Sequence, residues 1–202
     1  MKTHLTQAER RGQTRAKLVE TARREFMRHG FNGASLDQIA DAAGYSKGAV
    51  YSNFESKADL FLSVLDAHFE DRARDYAGVA LDGGTADESY RAVARFRLAA
   101  AERDPGWEPL LLEFWTYAAR RPHLRAALAE RRERFLHLIA GLIDELAARH
   151  DLAYTIPTVE VARGSAALLR GLMIERMLDQ SASPPELMEA MHAAYMRGLT
   201  AP

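Results

Sequence analysis

The feature that most constrains this chain is the close spacing of helix caps after position 34. Ser35 and Gln38 have the pattern of a capping box, in which each side chain bonds the other residue's backbone N–H. Gly44 stops the resulting helix after about two turns, and Ser46 and Ser56 occupy the positions of further N-caps. Caps this close together predict short helices joined by tight turns.

The rest of the chain also favours helices. Alternating β-branched runs do not occur, and segments rich in Ala, Leu, Glu and Arg carry apolar residues at three- and four-residue spacing. A first helix is expected to end at Gly30, in the left-handed conformation. The segment from Gly78 to Asp87, with Gly83 and Gly84, breaks the helical pattern and is the best candidate for a boundary. Later helices are predicted near 86–103, 106–120, 122–150, 157–180 and 184–199.

Charge and composition restrict the class of protein. The first 60 residues contain ten Lys and Arg against seven Asp and Glu, so the basic charge lies at the front of a chain whose net charge is −1. This is a modest footprint for nucleic acid. The chain has no cysteine, which excludes disulfides and thiolate metal sites. We find no signal-peptide core and no apolar run of spanning length, so we expect a soluble, cytoplasmic protein.

The segment from Ser46 to Ser52 has an unusually bare outer face. Gly48, Ala49 and Ser52 are small, whereas Val50 and Phe54, one turn apart, are expected to face inward. A helix-turn-helix sends its second helix into the DNA major groove, where small residues allow the backbone to approach phosphates and base edges. The pattern therefore predicts a DNA-binding helix.

Another reading of this bare face remains open. Gly48 and Ala49 would also suit close packing against another helix of the same chain, although a glycine inside a helix costs roughly 1 kcal/mol. Packing would in addition leave Lys47 in need of a partner. For each arginine near the front of the chain, the alternative to a DNA contact is an ordinary solvated face.

At these residues the sequence resembles a known family. The stretch SLDQIADAAGYSKGAVYSNFESKADLF is similar to the DNA-binding signature of TetR-family transcriptional regulators. In that signature a threonine or serine precedes Ile-Ala, followed by Ala-Gly-x-Ser-x-Gly, Tyr-x-x-Phe and x-x-Lys-x-x-Leu. The resemblance covers residues 12–66. Ser35 stands where threonine is commoner and Asn53 where histidine or tyrosine is frequent, and both keep a hydrogen-bonding group.

The resemblance implies an N-terminal three-helix bundle with a helix-turn-helix in residues 1–55. It also implies a helical effector-binding and dimerisation domain in residues 56–202, giving about nine helices in an all-α fold. Members bind palindromic operators as homodimers, and an effector typically relieves repression by moving the fourth helix. The residues that it places at the DNA are Ser35, Ser46, Lys47, Gly48, Ala49, Tyr51, Ser52, Asn53 and Lys57.

The last helices carry a stripe suited to a dimer interface. Gly164, Ala167 and Gly171 would allow close approach of a second copy, although an intrachain core explains the same periodicity. The resemblance favours the dimer. The candidate interface residues are Val159, Ala166, Leu169, Met173, Leu187, Met191 and Tyr195.

An aromatic run between positions 107 and 117 suggests an apolar effector pocket. Buried aromatic side chains with a few polar groups are typical of such pockets, but each residue would equally suit a core. We expect no cofactor and no metal. The candidate pocket residues are Tyr90, Phe96, Trp107, Leu111, Phe114, Trp115, His123, Met173 and Met177.

Other classes of function find less support. The seven histidines are scattered without ligand spacing, and no nucleophile elbow or phosphate loop occurs, so we do not expect an enzyme. A regulator that activates transcription, or that acts without an effector, remains an alternative. So does a helical adaptor that binds only protein, but an adaptor has no use for Gly48 beside Lys47, Tyr51 and Lys57.

Overall fold

The structure is a computed structural model that describes residues 6–82 and 84–201. Gly83, predicted to lie in a boundary segment, is outside the described residues. Within the described residues the chain forms nine helices and no strand, so the prediction of an all-α fold with about nine helices is confirmed. The helices are α1 (Gln7–Gly33), α2 (Leu36–Ala43), α3 (Lys47–Tyr51), α4 (Lys57–Ala80), α5 (Ala86–Arg103), α6 (Trp107–Ala119), α7 (Pro122–His150), α8 (Thr158–Leu178) and α9 (Pro185–Gly198).

The helix bounds follow the local capping chemistry. From α5 onward they lie within two residues of the ranges that the sequence predicts. Thr85 and Glu88 form a capping box at α5, as Ser35 and Gln38 do at α2. In α1 the predicted stop at Gly30 is a kink: its φ of 71° interrupts the helical backbone before the last turn to Gly33.

The chain forms two compact units. The first contains the described residues up to 68 and residues 109–128, and the second contains the described residues of 69–108 and 129–201. Each unit thus contains two segments of the chain, whereas the sequence predicts a single domain boundary after residue 55. That boundary stays a prediction. The segment between α4 and α5 has both flanks in the second unit.

An aromatic cluster fills the first unit. Phe31 packs edge-on against Phe61 and Phe114, with ring centroids 5.4 and 5.0 Å apart. Phe26 meets Phe61 at 5.1 Å. All four rings are buried, and each such ring removes a large apolar area from water. These rings come from α1, α4 and α6, so the cluster packs the N-terminal part of α4 against α1.

The second unit is built mainly on the packing of α5 and α8 against α9. One of its clusters joins Ala94 and Leu98 of α5 to Leu169 and Met173 of α8 and to Met188 of α9. A second cluster contains Tyr90, Leu136, Ile143, Leu146, Val161, Ala162, Ala193 and Met196. These two clusters hold the helices that enclose the cavity described below.

Candidate functional site

Helices α2 and α3 form a tight helix-turn-helix in the first unit. Ser35 accepts from the N–H of Gln38, and the Gln38 side chain accepts from the N–H of Ser35 at 2.9 Å. Gly44 ends α2 with φ of 74°, the left-handed conformation that favours glycine. Ser46 then caps α3 by accepting from the N–H of Ala49. The predicted turn is therefore formed by the residues that the capping pattern identifies.

The outer face of α3 is open. A Cβ placed on Gly48 would meet only the Oγ of Ser46, at 3.8 Å. Tyr51 is 59% exposed, whereas Val50 and Phe54 on the opposite face are buried. Gly48 therefore does not serve packing against another helix of this chain, and its face is free for contact with another molecule.

Lys47, at the start of α3, forms an ion pair with Asp37 of α2. Both side chains are exposed, and the hydrogen bond that Lys47 donates to the Asp37 carboxylate raises the pKa of Lys47. An exposed pair of this kind contributes little to stability, because water and salt screen it. A phosphate therefore has only a weak internal partner to displace before it can bind the ammonium group.

Two arginines of α1 hold the C-terminal end of α3. Arg11 donates to the backbone oxygen of Ser52 at 3.1 Å, and Arg15 donates to that of Asn53 at 2.7 Å. The guanidinium of Arg15 also lies 4.3 Å from the centre of the Phe54 ring. This role was not predicted from the sequence, because the partners are some forty positions apart and an arginine on a helix usually lies on a solvated face.

The side chains of Ser52 and Asn53 also serve the end of α3. Ser52 Oγ donates to the backbone oxygen of Ala49 at 3.0 Å, and Asn53 Nδ2 donates to the same oxygen at 2.7 Å. The Asn53 Oδ1 atom is buried and has no hydrogen-bond partner among the described residues. Ser52 is exposed, so its hydroxyl stays within reach of another molecule.

The chain between the kink at Gly30 and Ser35, called here the loop before α2 although it includes the last turn of α1, is held from two sides within the first unit. The carboxylate of Glu113, on α6, accepts from the N–H groups of Phe31 and Asn32, both at 2.8 Å. Lys57 donates to the backbone oxygens of Asn32 and Ala34 at 3.1 and 2.8 Å. Partial burial lowers the pKa of Lys57. Lys57 thus has a structural task, and these two bonds use two of its three ammonium protons.

The second unit contains a partly open, mainly apolar cavity of about 80 Å³. Its walls come from α4, α5, α7, α8 and α9. No Asp, Glu, Lys or Arg lines it within the described part of the chain. The polar side chains on its walls are those of Tyr76, Ser89, Tyr90, Ser165 and His192.

His192 is the centre of a short hydrogen-bond chain in the cavity wall. Its Nδ1 lies 2.7 Å from the backbone oxygen of Tyr90, which can only accept, so Nδ1 carries the proton. Its Nε2 lies 2.7 Å from Ser165 Oγ. Burial lowers the pKa of His192, which keeps the ring neutral, and Nε2 then accepts the Ser165 hydroxyl. The hydroxyl of Ser89 has no hydrogen-bond partner among the described residues.

A second, wider cleft of about 400 Å³ opens to solvent near the ends of α5 and α8. Its walls carry the charged groups of Glu102, Glu108 and Arg176. Glu108 is buried and paired with Arg97, while Arg170 Nη1 lies 3.8 Å from Glu108 Oε2. Burial lowers the pKa of Arg170 to about 10. This cleft therefore borders a buried charge cluster, unlike the apolar cavity.

The structure does not bring the predicted pocket residues together. Leu111 and Phe114 are buried in the first unit, where Trp115 is partly buried and His123 is exposed. In the second unit, Tyr90 lines the cavity, whereas Met173 and Met177 line the open cleft. Trp107 is buried, and Phe96 packs against Tyr76 at 5.3 Å. The aromatic run thus contributes to more than one site.

The candidate interface residues also divide. Leu187 and Met191 are each 38% exposed, whereas Leu169 and Met173 are buried in the core of the second unit. Val159, Ala166 and Tyr195 are partly buried, and Tyr195 packs against Gly164 of its own chain. Exposed small or apolar residues nevertheless form stripes on α8 and α9: Ala167, Gly171, Leu178, Leu187, Ala190, Met191 and Ala194.

An open, glycine-containing α3 behind a left-handed turn defines the first unit as a helix-turn-helix module of the DNA-binding type. Sequence comparison agrees: the family described as "Bacterial regulatory proteins, tetR family" matches residues 18–64. The family described as "BetI-type transcriptional repressor, C-terminal" matches residues 86–201. The chain therefore belongs to the TetR family of bacterial regulatory proteins, which are transcriptional regulators and not enzymes.

Individual relatives support the family without fixing a ligand. The chain is 42% identical over 66 residues to the transcriptional activator FasR of Mycolicibacterium smegmatis, an alignment that covers 33% of this chain and 28% of FasR. It is 26% identical to the transcriptional regulator BetI of Agrobacterium fabrum over 179 residues, 87% of this chain and 84% of that protein.

A solved structure shares the fold at low identity. It is a Saccharomonospora viridis protein in complex with choline, and it superposes with a TM-score of 0.70 at 19% identity, covering 95% of this chain and 100% of that one. At this identity the likeness concerns the fold alone. No helix in the described part of the chain has both the length and the apolar character needed to span a bilayer.

Proposed function

We propose that the protein is a sequence-specific DNA-binding regulator that acts as a homodimeric repressor, and that a small, largely apolar effector bound in the second unit lowers its operator affinity. The observation that carries the DNA-binding part is the open face of α3 at Gly48. Other helices also contain open glycines, but Gly48 lies in the first turn of the second helix of a helix-turn-helix, where a missing side chain lets the backbone approach a phosphate or base edge.

We propose the nine predicted residues as DNA contacts, and different structural observations support different residues. Gly48 and Tyr51 are on the open face, and Lys47 has only a weak partner in Asp37. Ser35 and Ser46 are caps whose neighbouring backbone would face phosphates. For Lys57, we propose that the proton left free by the loop carbonyls contacts a phosphate.

The apolar cavity is the proposed effector site, since most of its walls are hydrophobic and a few polar side chains face it. Helix α4 carries Lys57 at its start and Tyr76 and Ala80 near its end, where both line the cavity. An occupant that displaced the end of α4 would therefore act on the helix that also holds the loop before α2. This connection supports effector control of DNA binding.

The exposed stripes of α8 and α9 are the proposed homodimer interface. Leu178 is 82% exposed, and a Cβ on Gly171 would meet no atom within 4 Å, so this face of the protomer is uncovered. Large apolar side chains together with small residues suit close helix packing in a symmetric four-helix interface. A second copy would remove these side chains from water.

DNA binding is tested by selecting random duplexes against the purified protein at two salt concentrations. We expect the selected duplex to be palindromic, because the two identical subunits of a dimer bind half-sites related by symmetry. Gly48→Leu should abolish binding of this duplex without unfolding the protein, whereas Gly78→Leu, at another open helical glycine, should leave binding unchanged. An unfolded Gly48→Leu protein, or one that binds normally, would refute the assigned role of α3.

The dimer is tested by light scattering. Leu187→Glu combined with Met191→Glu should give a monomer, because it places charges in the proposed interface. Leu138→Glu is the control, since Leu138 is 53% exposed on α7, outside that face. A wild-type monomer at operator-binding concentrations would contradict the homodimer.

Repression is tested with a reporter gene downstream of the selected operator. Deleting the protein should raise expression. The alternative, activation, is favoured by the likeness of the N-terminal part to the activator FasR, and it predicts that the deletion lowers expression.

A further inference from the structure

The cavity in the second unit combines an apolar wall with a buried hydroxyl that the fold does not use. Ser89, on α5, is 1% exposed, and its Oγ has no hydrogen-bond partner among the described residues. Leaving a buried polar group unpaired is unfavourable, so alanine at this position would suit the fold at least as well. The hydroxyl is therefore available to donate a hydrogen bond into the cavity.

Three other polar groups of the wall have partners within the fold, among them the Tyr90 hydroxyl, which lies 2.9 Å from that of Tyr154. Ser165 gives its proton to His192, and the Nδ1 proton of His192 goes to the backbone oxygen of Tyr90. Neither group offers a charge. Because the described wall also lacks Asp, Glu, Lys and Arg, an ionised ligand would have no counter-charge in contact with it.

The charged groups nearest to Tyr76 are paired with one another. Arg72 lies 3.6 Å from Asp75 and 4.0 Å from Asp104, and Glu108 is paired with Arg97 and lies 3.8 Å from Arg170. None of these groups lines the cavity. They therefore provide no uncompensated counter-charge for an ionised ligand.

We propose that the cavity selects an uncharged ligand with a compact apolar body and one hydrogen-bond acceptor, which receives the proton of Ser89. This inference rests on the proposal that the cavity is the effector site. It separates this chain from the fold neighbour solved with choline, a quaternary ammonium cation. The shared fold does not determine the ligand, because the side chains that line the cavity set its charge preference.

Three probes of the same shape test the charge preference on the full-length protein. They are choline, its neutral isostere 3,3-dimethyl-1-butanol (called tert-butyl ethanol below), and the anion 3,3-dimethylbutanoate. Calorimetric titration should show tert-butyl ethanol binding at least about 100-fold more tightly than choline, since an unpaired buried charge carries a large desolvation penalty. Tighter binding of either ion, or no binding of the alcohol, would overturn the proposal.

The matched pair Ser89→Ala and Ser165→Ala tests the hydroxyl. Ser89→Ala should weaken binding of tert-butyl ethanol about 5-fold to 10-fold and leave the ligand-free melting temperature unchanged or higher. Ser165→Ala removes the partner of His192 and should lower that temperature. If Ser89→Ala lowered the melting temperature and left the affinity unchanged, the hydroxyl would belong to the fold and the proposal would fail.

Operator release separates this inference from the proposed function. Fluorescence anisotropy of the labelled, selected duplex reports whether tert-butyl ethanol lowers DNA affinity. If the alcohol binds with the expected preference but the duplex stays bound, effector control is refuted and the ligand class stands. If a cation both binds and releases the duplex, effector control stands and the ligand class is refuted.

Discussion

The approach of α8 to α9 at Gly164 allows a prediction whose sign depends on one neighbouring side chain. A Cβ placed on Gly164 would lie 2.7 Å from Cζ of Tyr195 and closer still to its Oη. The same hydroxyl donates to the backbone oxygen of Val161 at 3.1 Å. In Gly164→Ala, the phenol must therefore leave its position and give up this hydrogen bond.

The magnitude follows from opposing contributions. Losing the hydrogen bond costs about 1 kcal/mol, and forcing a packed side chain aside costs about 1–3 kcal/mol. Alanine regains about 1 kcal/mol, because glycine is the poorer helix former. We therefore expect Gly164→Ala to lower the free energy of unfolding by about 1–3 kcal/mol. In a Tyr195→Ala background the obstruction is gone, and the same change should raise it by about 0.5–1 kcal/mol.

The assay is urea unfolding followed by circular dichroism at one protein concentration. It compares the wild type, both single variants and the double variant. Gly141→Ala on α7 is the control, since a Cβ there would meet no atom within 4 Å and should be stabilising in either background. If Gly164→Ala stabilised the wild type, or destabilised both backgrounds equally, the packing of Tyr195 on Gly164 would not be the cause.

Further predictions concern the loop before α2 and the cavity wall. Glu113→Ala should lower the free energy of unfolding by about 2–4 kcal/mol and weaken operator binding, because two charge-assisted hydrogen bonds are lost. Thermal unfolding measures the effect, and Glu70→Ala, at an exposed carboxylate, is the control. Lys57→Met should weaken binding to all duplexes and reduce the salt slope by about one, measured by anisotropy; an unchanged slope would leave Lys57 only its structural task. Stability should fall as the pH drops below about 6.5, the ordinary pKa of histidine. In that range the unfolded chain binds a proton at His192, whereas burial lowers the pKa of this histidine in the folded protein and keeps it neutral. His192→Asn should therefore flatten this part of the plot of unfolding free energy against pH.

Local signals in the sequence predicted the helices and the turn well. Ser35, Gly44 and Ser46 act through atoms only a few residues away, so their spacing alone identifies the caps. The open face at Gly48 was also readable, because alternation between small and large residues marks the two sides of a short helix. What these signals share is that cause and effect lie within one or two turns of chain.

Contacts between distant segments could not be read in this way. Glu113 bonds the backbone of Phe31, 82 positions away, and a lone glutamate on an amphipathic helix gives no sign of such a partner. The aromatic run made Phe114 a candidate for a pocket or a core, but it did not show that this ring packs in the first unit. Gly164 was predicted to admit a second copy, whereas it admits Tyr195 of the same chain. In each case the pattern identifies a buried face and leaves its partner open.

The hydrogen bonds and ion pairs that the basic residues near α3 already form suggest how the first unit would balance affinity for DNA against sequence specificity. Arg11 and Arg15 are bound to backbone oxygens of the α3 end, and Lys47 faces Asp37, so part of the hydrogen-bonding capacity near α3 is already in use. Arg11 and Arg15 keep their charge, because a backbone oxygen is neutral, but fewer N–H donors are left to bond phosphates than the number of basic residues implies. Binding would then depend more on close approach at Gly48, which only a duplex of the right shape permits. Asp37 adds to this effect, because its carboxylate repels a phosphate until Lys47 turns away from it.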